Sequence, residues 1–110
     1  MKKELVIIGG GPAGYTAALY ATRAGLDTAV LERMSPGGQM ALTDIIDNYP
    51  GFPEGVDGIT LGMNMQMQAE RFGASLRSGI ITKADLSQRP FHVTVDDGTE
   101  IEAETIIIAT

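Results

Sequence analysis

Three glycines, Gly9, Gly11 and Gly14, stand at the spacing G-x-G-x-x-G in "VIIGGGPAGYTAALYA". An acid, Glu32, follows at the end of the next apolar run. A loop of this kind can hold a phosphate without a lysine. Gly9 lets the chain leave a strand in a tight turn, and Gly11 leaves the backbone bare where a pyrophosphate approaches. Gly14 lets a helix pack close to the strand. The first N–H groups of that helix have no intrahelical acceptor, and the helix dipole adds partial positive charge beside them. A carboxylate at Glu32 can accept both hydroxyls of an adenosine ribose and repels a 2′-phosphate. The spacing therefore predicts a dinucleotide site that prefers an unphosphorylated ribose. No Gly-Lys-Ser/Thr follows the glycines, which excludes a Walker-type phosphate loop.

The elements that must hold this loop are legible around it. "ELVIIG" is short, apolar and continuous, the pattern of a buried parallel strand. Pro12 suits the first turn of a helix. Ala13, Ala17, Leu19 with Tyr20, and Ala24 recur at helical spacing, which predicts the buried face of that helix, and Gly25 is a stop. "DTAVLE" is a second strand ending on Glu32. From Arg33 to about Asp57 periodicity is lost in "SPGGQ" and "NYPGFPEG", and irregular segments of such length are usually functional. A helix returns in "GITLGMNMQMQAERFG", where Ile59, Met63 and Met67 predict a core face and Gly73 a terminator. "ASLRSGIITKADLS" reads as strand, bend and strand. "FHVTVDDGTEIEAE" reads as a hairpin turning at the DDG, with Phe91, Val93 and Val95 on one side. "TIIIA" reads as another buried strand. Together these predict an α/β class: a parallel sheet with helices, in which a small antiparallel β-meander replaces one crossover helix.

Composition narrows the function classes. A net charge of −6 argues against a nucleic-acid partner. No apolar run is long enough to span a bilayer, and no signal peptide is evident, so the expected location is cytoplasmic. The chain has no cysteine, which removes disulfides and cysteine metal sites from it. His92, the single histidine, falls on the polar side of its strand and reads as a solvated residue. Asp44 reads as loop chemistry, Asp47 and Asn48 as turn formers, and the DDG lacks the ligand series of a calcium loop. Tyr15 could touch a cofactor or pack against a neighbouring loop. No residue presents itself as a nucleophile, general base or metal ligand. A site of this kind suits chemistry carried by the cofactor itself.

The glycine loop alone does not separate NAD from FAD, because both carry ADP. The long excursion after Glu32 can line an extended cofactor, which points to FAD. The segments "GGGPAGYTAALYATRAG", "PGGQM", "DNYPGF", "ADLSQRPFHV" and "IIIAT" resemble the N-terminal FAD-binding part of the bacterial low-molecular-weight thioredoxin reductases, over essentially the whole chain. The pairing of "GGQ" with "NYPG" is far more specific than the glycine spacing. The resemblance implies a Rossmann-like FAD/NAD(P)-binding fold. It also implies that Gly9, Gly11, Pro12, Ala13 and Gly14 wrap the FAD pyrophosphate and that Glu32 and Arg33 flank the ribose. Gly38, Gln39 and Met40 would approach the ribityl and flavin region. Thr43 and Asn48 would bond the cofactor near its ring. Ile81 would meet the adenine through its backbone, and Ala109 and Thr110 would begin a closing "ATG" element.

Members of that family take a hydride from NADPH, pass electrons through FAD to a Cys-x-x-Cys disulfide and reduce thioredoxin, as homodimers. By that resemblance, residues 1–110 are the N-terminal portion of an FAD-binding domain. The NADPH domain with its cysteines, and the C-terminal completion of the FAD domain, would lie outside. The expectation is an incomplete domain, inactive by itself, binding FAD weakly or not at all and prone to association through an exposed strand edge. Two other readings stay open: the FAD-binding part of a ferredoxin–NADP reductase-like enzyme without redox cysteines, and a stand-alone dinucleotide-binding module.

Overall fold

A computed structural model describes residues 1–33 and 37–110. Residues 34–36, within the "SPGGQ" segment, and the side chain of Met40 lie outside the described residues. The chain opens with β1 (Lys2–Ile8), α1 (Pro12–Arg23) and β2 (Thr28–Glu32). The excursion then contains, among the described residues, a 3-10 turn, Gly38–Leu42, and a two-stranded antiparallel ribbon of β3 (Ile45–Ile46) and β4 (Val56–Asp57). The second helix, α2 (Gly58–Arg71), leads into β5 (Ser75–Ser78). The meander follows as β6 (Ile81–Asp85), β7 (Phe91–Val95) and β8 (Glu100–Ile108).

The main sheet has six strands in the order β5-β2-β1-β8-β7-β6. The first four run parallel, and β7 and β6 join antiparallel through β8. β8 is the hinge of this arrangement. Along most of its length it pairs with β1, from Lys2 against Glu102 to Ile8 against Ile108. Only its first residues, Glu100–Ala103, also pair with β7. Among the described residues, Thr105–Ile108 therefore have a sheet partner on one side only.

The pleat of β1 sends alternate side chains to opposite faces. Leu5 and Ile7 join Tyr15, Ala18, Val30, Leu61, Met65, Ala69 and Ala74 in a core under the helices. Val6 joins Leu31, Val93, Val95, Ile101 and Ala103 in a second core under the meander. The two faces of one parallel strand are thus covered by different kinds of layer, which is why "ELVIIG" reads as continuously apolar.

α2 starts at a true cap: Asp57 accepts a hydrogen bond from the Thr60 backbone N–H at 2.9 Å. Its buried face is not the one the sequence suggests. Leu61, Met65 and Ala69 point inward, while Ile59, Met63 (49% exposed) and Met67 (55% exposed) point outward. The two stripes are two residues out of phase, about 200° round the helix. Gly62 is also on the inner face, and a small residue there admits the backbone of the excursion: a Cβ on Gly37 would stand 2.9 Å from the Gly62 Cα. The same kind of correction applies to α1. Its buried residues are Gly14, Tyr15, Ala18 and Thr22, whereas Ala13, Tyr20 and Ala24 are exposed. Tyr15 packs inside the helix-side core and does not line the glycine-loop cleft described below. "TIIIA" is a strand, as its β-branched residues dictate, but Ile107 and Ile108 (67% exposed) are not buried.

Candidate functional site

The C-terminal ends of the neighbouring strands β1 and β2 open onto a cleft of about 780 Å³, within the usual size range of small-molecule sites. This is the end of an open parallel sheet where ligands are expected. One wall is the loop Gly9–Gly11 with Pro12 and Ala13 at the start of α1. Leu31, Glu32 and Arg33 close a second side, Gly79–Ile81 a third, and Gly38 with Gln39 and Ala109 with Thr110 complete the rim.

Backbone hydrogen bonds tie these walls together. The Gly9 N–H donates to the Leu31 carbonyl at 2.9 Å, and the Ala109 N–H donates to the Ile8 carbonyl at 2.8 Å. The Gly37 N–H donates to the Gly10 carbonyl at 2.7 Å, drawing the excursion over the loop. The Gly79 N–H donates to the Glu32 carbonyl at 3.1 Å. Ile80 is gripped twice by the turn of the meander: its N–H donates to Asp96 Oδ1 at 3.2 Å and its carbonyl accepts from the Asp96 N–H at 2.8 Å. The cleft is a rigid frame of main chain before any side chain is considered.

The glycines of the loop differ in what requires them. Gly9 has φ +116°, and a side chain there would run into the Ala109 carbonyl. Gly14 presses its bare Cα on the Gly9 carbonyl, so the helix sits closer to the turn than any other residue allows. Gly11 is different. Its φ is −86°, and an added Cβ would find only the Gly37 carbonyl oxygen, at an ordinary 3.7 Å. The fold itself tolerates a side chain at Gly11. Gly11 is also the N-cap of α1, with no side-chain cap bond and no acid in the first turn. First-turn N–H groups left in this way can hold an anion.

The electrostatics have one large perturbation. The Tyr15 phenol is pushed up to about 12, first by burial and then by the negative charges of Glu32 and Glu70. Its hydroxyl is buried and has no hydrogen-bond partner among the described residues. The Tyr15 phenol stays neutral at any ordinary pH and is no acid–base catalyst. His92 lies on the exposed side of β7, 4.0 Å from Glu102 Oε1 and away from the cleft.

Of the residues singled out from the sequence, Gly9, Gly11, Pro12, Ala13, Glu32, Arg33, Gly38, Gln39, Ile81, Ala109 and Thr110 are brought together on this cleft. Gly14 lies behind its wall as a packing residue. Thr43 is exposed outside the cleft, and its carbonyl accepts from the Gly58 N–H at 3.2 Å, holding the start of α2. Asn48 is exposed in a separate shallow hollow formed by residues 47–53. The side chain of Met40 is outside the described residues. Ile8, Gly10, Leu31, Gly79 and Ile80 also line the cleft and were not singled out. Gly10 was open to view between two glycines of the fingerprint. Gly79 and Ile80 carry no local signal; they reach the cleft only because the strand order places β5 beside β2.

The chain matches the family model described as pyridine nucleotide-disulphide oxidoreductase over residues 3–110. A curated thioredoxin reductase from Rickettsia bellii is 49% identical over 107 residues, covering 97% of this chain and 34% of that protein. The crystal structure of a thioredoxin reductase from Streptococcus pyogenes superposes with a TM-score of 0.92 at 42% identity, covering 99% of this chain and 35% of that one. A thioredoxin reductase structure from Gloeobacter violaceus gives a TM-score of 0.93 at 37% identity, with coverages of 99% and 36%. The chain spans about a third of the length of the relatives it matches.

Proposed function

This chain belongs to the pyridine nucleotide-disulphide oxidoreductase family, and we propose that it is the FAD-binding portion of a thioredoxin-disulfide reductase-like flavoprotein. The observation that carries the reading is the uncapped N-terminus of α1 at Gly11, where an added Cβ would touch only the Gly37 carbonyl oxygen, at an ordinary 3.7 Å. The similarity to thioredoxin reductases over nearly the whole chain supports FAD as that ligand.

In this reading the α1 N-terminus and the Gly9–Gly11 backbone bind the pyrophosphate. Glu32 accepts from the adenosine ribose hydroxyls, with Arg33 beside it. The Ile80–Ile81 backbone, held by Asp96, forms the adenine wall. Gly38 and Gln39 border the extension toward the flavin, and Ala109 with Thr110 closes the pyrophosphate side. Thr43 and Asn48 would join the site only through contacts further along the cofactor. FAD, when bound, supplies two-electron chemistry, accepting a hydride from NADPH and reducing a disulfide.

The whole protein would use NADPH to reduce a Cys-x-x-Cys pair located outside this chain, and thioredoxin through it, as a cytoplasmic homodimer. Residues 1–110 would form the N-terminal portion of its FAD domain. Among the described residues no helix is long and apolar enough to cross a membrane. The test is to titrate the full-length protein with FAD and follow flavin fluorescence. Tight binding that Glu32→Ala weakens about tenfold is the expected result, the loss of hydrogen bonds to a charged group. Equal competition by NAD would overturn the flavin assignment. Reduction of thioredoxin with NADPH by residues 1–110 alone would overturn the assignment of this chain as an inactive portion.

A further inference from the structure

Ile80 is held by a side chain where a regular ladder would use main chain. In an antiparallel pair, residues that exchange N–H and C=O bonds alternate with residues that exchange none. Asp96 donates its N–H to the Ile80 carbonyl at 2.8 Å. The matching bond of a regular pair would run from the Ile80 N–H to the Asp96 carbonyl. But β7 ends at Val95, and the chain is already turning at Asp96. The Ile80 N–H reaches Asp96 Oδ1 instead, at 3.2 Å. The next residue, Ile81, lies opposite Val95. Val95 commits its main-chain groups to its own hairpin: its N–H donates to the Thr99 carbonyl and its carbonyl accepts from the Gly98 N–H, each at 2.9 Å. Ile81 and Val95 are therefore a pair that exchanges no hydrogen bond, and the Ile81 N–H and carbonyl point away from β7. β6 is the last strand of the sheet, so among the described residues no strand lies beyond it. Ile81 lines the cleft.

The turn that carries Asp96 is itself fastened to β5. Arg77 Nη2 donates to Thr99 Oγ1 at 2.6 Å and to Asp97 Oδ2 at 3.3 Å, and the Thr99 N–H donates to Asp97 Oδ1 at 2.9 Å. Gly79 lets the turn close on the wall: an added Cβ there would run into Val95 Cγ1 and stand 3.1 Å from Asp96 Oδ1. Asp96 does not line the cleft, so any effect it has on a ligand passes through Ile80. We propose that Asp96 is a positioning residue for base recognition: its carboxylate replaces the carbonyl that the turn withdraws from Ile80, and so fixes the Ile81 N–H and carbonyl as an outward donor and acceptor for a 6-aminopurine. This deepens the flavin reading above and rests on it. Adenine presents the N1 acceptor beside a 6-amino donor, whereas hypoxanthine presents an N1–H donor beside a 6-oxo acceptor, the reverse order. Without the carboxylate, Ile80 is held at its carbonyl only, and the fixed order at Ile81 is lost.

The test is to reconstitute the flavin-free full-length protein with FAD and with its hypoxanthine analogue, following flavin fluorescence so that only the flavin site is read. The wild type prefers FAD. Asp96→Ala lowers affinity for FAD by about tenfold and for the hypoxanthine analogue by less, so the ratio between them narrows. Asp96→Asn keeps an acceptor oxygen in the same place and keeps the wild-type ratio. A loss shared equally by the two dinucleotides, as a purely structural role would give, overturns the proposal. Asp96→Asn behaving like Asp96→Ala does the same. If Asp96→Ala does not fold, Asp96→Ser takes its place, because its hydroxyl ends one bond short of Oδ1, and the same narrowing is expected. Asp96→Ser with the wild-type ratio, or failing to fold as well, overturns the assignment of Asp96 to the base. A wild-type protein that binds both dinucleotides equally overturns the proposal and leaves the flavin reading standing. One that binds neither overturns the flavin reading and the proposal with it.

Discussion

The two faces of the main sheet are built differently and serve the cleft differently. Under the meander the core is wholly apolar: Val6, Leu31, Val93, Val95, Ile101 and Ala103 are all nearly inaccessible. Under the helices the core is larger but less perfect. It includes Tyr15, 2% exposed, whose hydroxyl is unpartnered among the described residues, and it depends on Gly14 touching the Gly9 carbonyl. The helix layer carries the N-terminus of α1 that lines the cleft and must hold it close to the sheet. The meander layer only has to cover its face and present Gly79–Ile81 to the cleft. Packing quality on the helix side yields to the placement of a backbone.

The largest test of this contrast is one truncation on each face. Ile7→Ala and Ile101→Ala each remove a fully buried branched side chain, and each should cost about 3 kcal/mol in urea denaturation. Both should shift one common transition; two separate transitions would show that the faces unfold independently. Gly14→Ala follows in size at about 2 to 3 kcal/mol, since backbone must move to relieve its contact with Gly9. A neutral result would mean that α1 can lift from the turn freely.

Tyr15→Phe should act in the opposite direction and raise stability by about 1 kcal/mol, because a buried hydroxyl with no partner is removed. The pH dependence gives this prediction a second readout. The folded phenol is pushed up to about 12, against 10.0 for an ordinary tyrosine. Below pH 10 both states are neutral and the wild type is unaffected. As pH rises from 10 toward 12 the unfolded chain loses the proton first, so stability falls. Tyr15→Phe should lack that share of the fall; an identical slope would mean that Tyr15 is not buried as described. The smallest effect belongs to the outer stripe of α2. Met67→Gln should change stability by less than about 0.5 kcal/mol, whereas Met65→Ala should cost about 2 kcal/mol. Equal effects would erase the distinction between the two stripes of α2.

Residues 1–110 carry strong local signals, and those were legible without the fold. The glycine spacing, Pro12 at a helix start, the β-branched runs and the DDG turn are each decided within a few residues by allowed backbone angles and by missing side chains. They were enough to place β1, α1, β2 and the hairpin of β7 and β8, and in the cleft Gly9, Gly11, Pro12 and Glu32; Arg33, Gly38, Gln39, Ile81, Ala109 and Thr110 were expected there only from the family resemblance. The choice of buried face was not local. Helix α1 is rich in alanine, and α2 has apolar residues on opposite stripes, so neither has a single face that hydrophobicity selects. Contact with the sheet chose Gly14, Tyr15 and Ala18 on one helix and Leu61, Met65 and Ala69 on the other.

The same distinction holds at the site. Composition and spacing alone determined that a glycine-rich strand-to-helix loop, a β2-terminal acid and an irregular excursion belong to one chain. Only the tertiary structure decided that β5 lies beside β2, bringing Gly79 and Ile80 to the cleft. It alone showed that the space beside the bare Cα of Gly79 is occupied by Val95 and Asp96. The physical reason is common to both. A glycine is readable in a sequence, but what fills the space of its absent side chain is set by residues distant along the chain, and only packing brings them there.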